Sequence, residues 1–412
     1  MSMQRNRAIS IIKNSLRVRT IDVLEAEARA SLLPAHDERP VDDAFGGKTG
    51  WSRDLAVMHS IVFSGWLNLL LLCIPAGFAA QYLAWPAVWR FSLNFLSLIP
   101  LALILGDVTE DLALRFGDVI GGLINATFGN VVEVILSLAA LEKGLYDVVA
   151  SSLLGSILSN MLLVLGCCYL FGGLYYKTQS FNAIGNRACS SLLFLSTIGI
   201  ITPTAAFQLI PEISHDSVLV ISRACAIILL IMYALYLLFQ LNTHAELFSG
   251  DEDEGGEQPA LSVGAATFLL TGITVLVAFS SEFLTGSIEE VSASTGLGHM
   301  FLGMIVLPIA GNACEHMTAV IVAMKDKMDL SMGVVMGSSL QIALFALPLC
   351  VVVGWATGHD FSLNLDAFSA LALTVSVIHS SIVTNDATSH WLLGTQLIAV
   401  YIIFAISYLV RT

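Results

Sequence analysis

The chain has 412 residues, of which 56% are hydrophobic and only 12% are charged, and its formal net charge is −14. A soluble globular protein of this length does not have such a composition. The apolar runs reach about 20 residues or more and lack the two-residue alternation of a membrane β-barrel. The composition therefore predicts an all-α polytopic membrane protein.

A polar, basic segment precedes the first apolar run. Nine of the 18 Lys and Arg residues lie before Leu55, and no cleavable signal peptide opens the chain. We predict that residues 1–54 form a cytosolic tail, flexible apart from a short helix near residues 24–33. An extra membrane helix over residues 55–80 is expected to follow the tail.

Ten further apolar segments follow the first, which gives eleven predicted transmembrane helices. Their approximate limits are 55–79, 91–112, 117–141, 147–171, 187–210, 218–241, 261–284, 298–323, 329–356, 363–385 and 390–410. If the N-terminus is cytosolic, fourteen of the 18 Lys and Arg residues fall on the cytosolic side, as the positive-inside rule requires. The C-terminus is then expected on the lumenal side.

An acidic linker over residues 242–260 is the only long break in the hydropathy. It separates two halves of five spans each, over residues 91–241 and 261–412. Its acidic run consists of Asp251, Glu252, Asp253 and Glu254. Such a run is usually a solvated loop, but in a cation transporter it can also gather or sense the ion. The sequence leaves both interpretations open.

The two halves align when the chain is shifted by 182 residues. Gly129, Asn130 and Glu133 fall on Gly311, Asn312 and Glu315, Gly155-Ser156 falls on Gly337-Ser338, and Ser159 falls on Gln341. Because each half has an odd number of spans, the two copies are expected to insert upside down relative to each other. Inverted repeats with polar, glycine-broken helices at mid-membrane are typical of alternating-access secondary transporters.

Glu133 and Glu315 are the central candidate site residues. An ionised Glu inside hydrocarbon is expensive, so an intramembrane acid indicates a functional site. Carboxylate, amide and hydroxyl oxygens suit Ca²⁺ or Mn²⁺, and protons compete with the cation for the two carboxylates. The candidate polar ligands around them are Asn130, Asn312, Ser156, Ser338 and Gln341. Ser338 is also compatible with a simple role in close helix packing.

Three further residues have two interpretations each. His316 follows Glu315 directly and is either a proton carrier or a hydrogen-bonded helix histidine. Glu110 and Glu282 are expected near opposite membrane surfaces. They are either sites at which ions or protons reach the centre from the two sides, or ordinary interfacial acids.

These motifs resemble those of a known transporter family. Gly129-Asn130-x-x-Glu133, Gly155-Ser156-x-x-x-Asn160, Gly311-Asn312-Ala313-Cys314-Glu315-His316 and Gly337-Ser338-Ser339-Leu340-Gln341 closely resemble the vacuolar Ca²⁺/H⁺ exchangers of the cation/proton exchanger family. That family lies within the wider Ca²⁺/cation antiporter superfamily. The resemblance covers roughly residues 55–410 and is strongest to the fungal vacuolar type.

The resemblance implies a Ca²⁺/H⁺ antiporter in the vacuolar membrane that clears cytosolic Ca²⁺. It implies that Glu133 and Glu315 are the central ion-binding carboxylates and that the acidic segment is a cytosolic site for regulatory Ca²⁺. We expect no cofactor and no nucleic-acid partner. We also expect no enzymatic activity, because no HExxH, GxSxG or paired transmembrane Asp motif is present. The lipid bilayer is an expected partner, and a homo-oligomer is left open. A sodium-driven or Mn²⁺-transporting exchanger of the same superfamily is the alternative.

Overall fold

The computed structural model describes residues 50–63, 65–247 and 259–411. Most of the predicted N-terminal tail, including the expected helix near residues 24–33, lies outside this range, as does the acidic run at residues 251–254. Within the described residues, β-structure is limited to one antiparallel pair, in which Gln179–Ser180 pairs with Thr388–Ser389. The described part of the chain is therefore built from helices, as predicted.

The described residues form seventeen α-helices. In chain order these are α1 (Trp51–Phe63), α2 (Cys73–Tyr82), α3 (Ala87–Phe128), α4 (Val131–Glu142), α5 (Tyr146–Leu158), α6 (Leu165–Tyr175), α7 (Ala183–Leu209), α8 (His215–Leu238), α9 (Val263–Thr285), α10 (Ile288–Thr295), α11 (His299–Phe301), α12 (Leu307–Gly311), α13 (Ala313–Met324), α14 (Met328–Gln341), α15 (Leu347–Thr357), α16 (Ala367–Thr384) and α17 (Trp391–Val410). Short π-helical segments join several of them, at Ser159–Val164, Phe239–Thr243, Leu302–Val306 and Ile342–Ala346.

Eight helical segments of the described chain are long and apolar enough to cross a membrane. The number rises to eleven if each of three bent helix pairs is a single span. The bent pairs are Trp51–Val62 with Leu67–Tyr82, Ile120–Phe128 with Val131–Glu142, and Ile288–Thr295 with His299–Ile309. The range of eight to eleven includes the predicted number of eleven.

Helix α3 contains a sharp turn that separates two predicted spans. All 42 of its residues have helical backbone hydrogen bonding, but one candidate span ends at Phe116 and the next begins at Ile120. A Cβ atom added to Gly121 would overlap the carbonyl oxygen of Ala113, whereas residues eight apart in a straight helix are separated by about 12 Å. The predicted spans at 91–112 and 117–141 are therefore distinct, and the second one is bent at Gly129-Asn130.

The part of α3 before Phe116 packs antiparallel to α9. Arg90 forms an ion pair with Glu290, just beyond the end of α9. Asp111 accepts a hydrogen bond of 3.1 Å from the backbone N–H of Leu261, just before α9 begins. From residue 90 to residue 111 a helix rises about 31 Å, which matches the hydrocarbon core of a bilayer. These two contacts therefore mark opposite ends of the bundle.

The loops after α4 and α13 lie at opposite ends of the bundle. The Lys143 ammonium donates to the carbonyl of Glu282, 2.6 Å away, at the α9 terminus. Gln179 donates to Asp326, 3.0 Å away, in the loop after α13. The continuous span Tyr146–Tyr175 connects these two regions, and its 30 residues rise about 45 Å. Lys143 and Asp326 are therefore separated by the full depth of the bundle.

Two spans form the centre of the bundle. Within an apolar 18-residue stretch of each span, 89% of the residues are buried in Tyr146–Tyr175 and 78% in Met328–Thr357. In the other six long spans the share is 22–50%. Each central span carries a π-helical segment directly after its candidate ligands, at Ser159–Val164 and Ile342–Ala346. Such local irregularities occur frequently at functional sites.

Candidate ion-binding site

Two asparagines interrupt helices at equivalent points of the sequence repeat. Asn130, with φ −110° and ψ 27°, separates α3 from α4. Asn312, with φ −100° and ψ 9°, separates α12 from α13. Both lie close to the sparsely populated bridge region of backbone space, where many active-site residues are found. As a result α4 and α13 both begin inside the bundle, and a helix N-terminus favours negative charge.

In each copy of the Gly-Asn-x-x-Glu motif, the glutamate lies against the glycine of the other copy. Glu133 and Glu315 occupy the first turns of α4 and α13. A Cβ atom added to Gly311 would lie 2.6 Å from Glu133 Oε1, and one added to Gly129 would lie 3.9 Å from Glu315 Oε1. The two carboxyl groups are near enough to interact electrostatically. The two copies of the motif thus build one shared site.

Several polar atoms of this site are buried without a partner among the described residues. They are Glu133 Oε1, Glu315 Oε2 and both side-chain amide atoms of Asn312. A buried polar atom without a hydrogen bond costs about 1–3 kcal/mol, so each instance needs an explanation. A site whose oxygens bind a cation or a proton during transport supplies that explanation.

Asn130 differs from Asn312 in that both of its side-chain amide atoms have a hydrogen-bond partner. The Ser338 hydroxyl donates to Asn130 Oδ1 over 3.0 Å, and Asn130 Nδ2 donates to Gln341 Oε1 over 2.8 Å. Gln341 Nε2 in turn donates to the carbonyl of Ala126. Breaking the helix at Asn130 leaves that carbonyl without an intrahelical donor, and Gln341 satisfies it.

Ser156 lies on the Glu133 side of the centre. Both residues line a cavity of about 10 Å³ that also contacts Gly311 and Pro308. Such a volume is close to the minimum for one water-sized particle. The predicted ligands Glu133 and Ser156 therefore face a common space.

His316 and Asn160 form a second layer behind Ser338. His316 Nε2 lies 3.1 Å from Asn160 Oδ1, and Asn160 Nδ2 donates to Ser338 Oγ over 2.9 Å. Asn160 was part of the recognised motif but not among the predicted ligands. Comparison of the repeats could not reveal it, because the equivalent residue in the second copy is the apolar Ile342.

Glu110 and Glu282 lie outside the central site. Both are exposed, Glu110 on α3 beside Asp111 and Glu282 on α9 near its end. Glu282 is at the end of the bundle where Lys143 packs. Burial lowers the pKa of Lys143, and the negative charges of Glu282 and Glu142 partly offset that effect. The two glutamates are thus near opposite ends of the bundle, and their role as entry sites stays a prediction.

The oxygen-rich chemistry of the site fits a hard cation. Among the described residues, no group of three His, Cys, Asp or Glu side chains lies close enough together to hold a metal. Two carboxylates supplemented by amide and hydroxyl oxygens are instead available. Such a set suits a transported Ca²⁺-like ion better than the closed Cys and His sets that hold structural zinc.

Comparisons with known proteins agree with this chemistry. The family model for the sodium/calcium exchanger protein matches residues 86–242 and 265–410. A Ca²⁺/H⁺ antiporter of Synechocystis sp. is 43% identical over 358 residues, which covers 83% of this chain and 96% of the relative. The vacuolar calcium ion transporter of Schizosaccharomyces pombe is 38% identical over 388 residues, with 91% and 94% covered.

A solved structure shows the same architecture. The Ca²⁺/H⁺ antiporter protein YfkE is 33% identical to this chain, superposes with a TM-score of 0.71, and is covered over 98% of its length. The match extends over 83% of the present chain. The similarity therefore includes nearly all of the helical bundle.

Proposed function

The chain belongs to the sodium/calcium exchanger protein family, and we propose that it is a secondary active antiporter that exchanges cytosolic Ca²⁺ for lumenal H⁺ across a vacuolar membrane. The cyanobacterial relative is named a Ca²⁺/H⁺ antiporter, and the yeast relative is named a vacuolar calcium ion transporter. Both names support the proposed substrate, and the second supports the proposed membrane.

The observation that carries this proposal is the convergence of Glu133 and Glu315 across the two sequence copies. Two carboxylates neutralise one divalent cation, which neither could do alone. After the ion leaves, desolvation and mutual repulsion prevent both groups from remaining ionised in the bundle interior. Protons therefore replace the ion before the empty carrier changes its orientation. That requirement makes the protein an antiporter and prevents a leak.

The proposed architecture has eleven spans, with one extra N-terminal helix and two inverted five-helix repeats that work by alternating access. The positions of Lys143 and Asp326 at opposite ends of the bundle support it, because these residues follow equivalent helices, α4 and α13. We place the N-terminus in the cytosol and the C-terminus in the lumen. Glu110 and Glu282 then lie where ions or protons reach the centre from the two sides.

Transport by purified protein in liposomes tests the proposed function. With an imposed pH gradient, acidic inside, wild-type protein is expected to accumulate ⁴⁵Ca²⁺, and collapse of the gradient should stop uptake. A sodium gradient without a pH difference should not drive uptake. Uptake driven by sodium and indifferent to the pH gradient would instead support the sodium-driven exchanger.

Site-directed labelling tests the proposed topology. Lys143→Cys and Lys325→Cys, each made in a background without native cysteines, are expected to react with an impermeant maleimide from opposite sides of the membrane. Lys177→Cys should react from the same side as Lys325→Cys. Labelling of residues 143 and 325 from one common side would exclude the inverted repeat.

A further inference from the structure

We propose that Asn160 and His316 are positioning residues that hold one half of the exchange site in a fixed hydrogen-bond direction, with His316 Nε2 as a permanent hydrogen donor. The half in question consists of Ser338, Asn130 and Gln341. This inference deepens the proposed function and rests on it.

A backbone carbonyl fixes the direction of the whole network. The carbonyl of Ala126 can only accept, so the Gln341 atom that faces it is Nε2, and Oε1 faces Asn130. Asn130 must then present Nδ2 to Gln341 and Oδ1 to Ser338. The orientations of these two amides, which are otherwise ambiguous, follow from the one group that cannot reverse its role.

The Ser338 hydroxyl transmits this direction to Asn160. Its single hydrogen is directed to Asn130 Oδ1, and Glu315 is a second acceptor within its reach. Whichever of the two accepts, the hydroxyl oxygen remains an acceptor for Asn160. Asn160 therefore presents Nδ2 to Ser338 and Oδ1 to His316.

The role of His316 follows from the last link of this network. Asn160 Oδ1 can only accept, so His316 Nε2 must carry a hydrogen. This holds for the neutral ring and for the charged ring alike. Nε2 is therefore committed to orienting Asn160, and Nδ1 is the one ring nitrogen left to titrate.

The other copy of the motif has no such layer. The residues equivalent to His316 and Asn160 are Val134 and Ile342, which have no hydrogen-bonding side chains. There the residue equivalent to Gln341 is Ser159, whose side chain is shorter. Asn312 accordingly has no partner for its amide among the described residues. Asn160 and His316 thus hold the half made of Ser338, Asn130 and Gln341 in place. The amide of Asn312 remains available to bind the ion.

A substitution series at His316 separates positioning from proton transfer. In His316→Gln, the amide Nε2 replaces the ring donor at nearly the same place but cannot titrate in the working pH range. His316→Leu removes the donor and keeps the bulk, and Asn160→Leu removes the next link. Ile342→Val, at the position equivalent to Asn160, is the matched packing control.

We expect His316→Gln to keep the apparent KM for Ca²⁺ and the pH profile of uptake within about twofold of wild type. His316→Leu and Asn160→Leu should each raise the apparent KM about tenfold, as expected for the loss of one orienting hydrogen bond. Their double variant should be no worse than either single variant, because both break the same network. Ile342→Val should match wild type.

Two results would overturn the inference. The first is that folded His316→Gln loses uptake as completely as His316→Leu does. That result would show that position 316 needs a titrating side chain. The other is wild-type KM in both leucine variants. Either result leaves the proposed exchange function standing, because that function depends on Glu133, Glu315 and the driving ion.

Discussion

The two copies of the central motif have the same residues but different surroundings. Asn130 and Asn312 share a similar non-helical backbone, and each precedes a glutamate in the first turn of a helix. Yet Asn130 is bound on both sides of its amide, whereas Asn312 is bound on neither within the described structure. The difference arises largely because Gln341 reaches across the centre and its counterpart Ser159 is too short.

This asymmetry separates two tasks within one repeated design. In the Asn130 half, neighbouring side chains already hydrogen-bond to the amide of Asn130. This half is therefore ordered before an ion binds. In the Asn312 half, both amide atoms of Asn312 and Glu133 Oε1 have no partner among the described residues. We therefore expect substitutions in the first half to lower stability and order as well as Ca²⁺ affinity, and those in the second half to act mainly on the ion.

Among substitutions that keep both carboxylates, the largest expected effect comes from adding a methyl group at Gly311. Gly311→Ala places Cβ 2.6 Å from Glu133 Oε1 and must displace that carboxylate. A displacement of about 1 Å at a reacting centre can cost about 100-fold in rate, and we expect a loss of that order in initial ⁴⁵Ca²⁺ uptake.

Gly129→Ala is the matched control for that substitution. Its Cβ would lie 3.9 Å from Glu315 Oε1, an ordinary contact, and 3.0 Å from the carbonyl oxygen of Asn125, which is tight. We expect a loss of less than about tenfold, because the backbone contact requires a shift of only a few tenths of an ångström. Equal losses in the two variants would contradict the close approach of Glu133 to Gly311.

The next effect concerns stability without Ca²⁺. Asn130→Leu breaks two hydrogen bonds and strands their partners, so we expect destabilisation of about 1–3 kcal/mol and a lower melting temperature in detergent. Asn312→Leu removes two buried atoms that have no partner, so its melting temperature should be unchanged or higher. The same variant should still transport Ca²⁺ poorly. A larger loss of stability in Asn312→Leu than in Asn130→Leu would reverse the comparison.

A smaller effect is expected at the two ends of the bundle. If the proposed topology is right, Glu110→Gln should raise the apparent KM for cytosolic Ca²⁺ a few-fold through lost electrostatic attraction, and Glu282→Gln should raise it less. Measurement in liposomes of one protein orientation separates the two. Equal and negligible changes would identify both residues as ordinary interfacial acids.

The smallest effect on maximal transport is expected from the acidic run. Neutralising Asp251, Glu252, Asp253 and Glu254 together should change how the rate depends on cytosolic Ca²⁺ and leave exchange intact. A variant that exchanges Asp for Glu and Glu for Asp keeps the charge and serves as the control. Complete loss of transport in a folded, inserted neutral variant would show that the run belongs to the coupling machinery.

The sequence predicted the elements with the strongest chemical signals. Intramembrane Glu133 and Glu315, the helix breaks beside them and the helical membrane class were all recognisable from residue type and repeat spacing. The separate spans before and after residue 116 were recognisable as well. The helical backbone of the turn between them was not, because hydropathy registers its charged residues as a loop. Asn130, Ser338 and Gln341 are hydrogen-bonded to one another in the structure, and their role as ligands stays a prediction.

The asymmetry of the site could not be predicted from the repeat. Aligning two copies highlights residues that match, whereas Asn160 and His316 matter at positions where the copies differ. Hydrogen-bond direction depends on a carbonyl freed by a helix break, and no spacing rule identifies Ala126 as the group that fixes it. Such information appears only when helices from both halves are packed together.

The most direct test of the central claim is pH-gradient-driven ⁴⁵Ca²⁺ uptake by purified Glu133→Gln and Glu315→Gln in liposomes. Each variant keeps the side-chain size and one carbonyl oxygen but removes one charge and one titrating group. Glu142→Gln, an exposed acid on the same helix as Glu133, is the control. Our account predicts that uptake is abolished in both site variants and retained in the control. Near-normal uptake in either folded site variant would contradict a shared Ca²⁺ and proton site built from the two carboxylates.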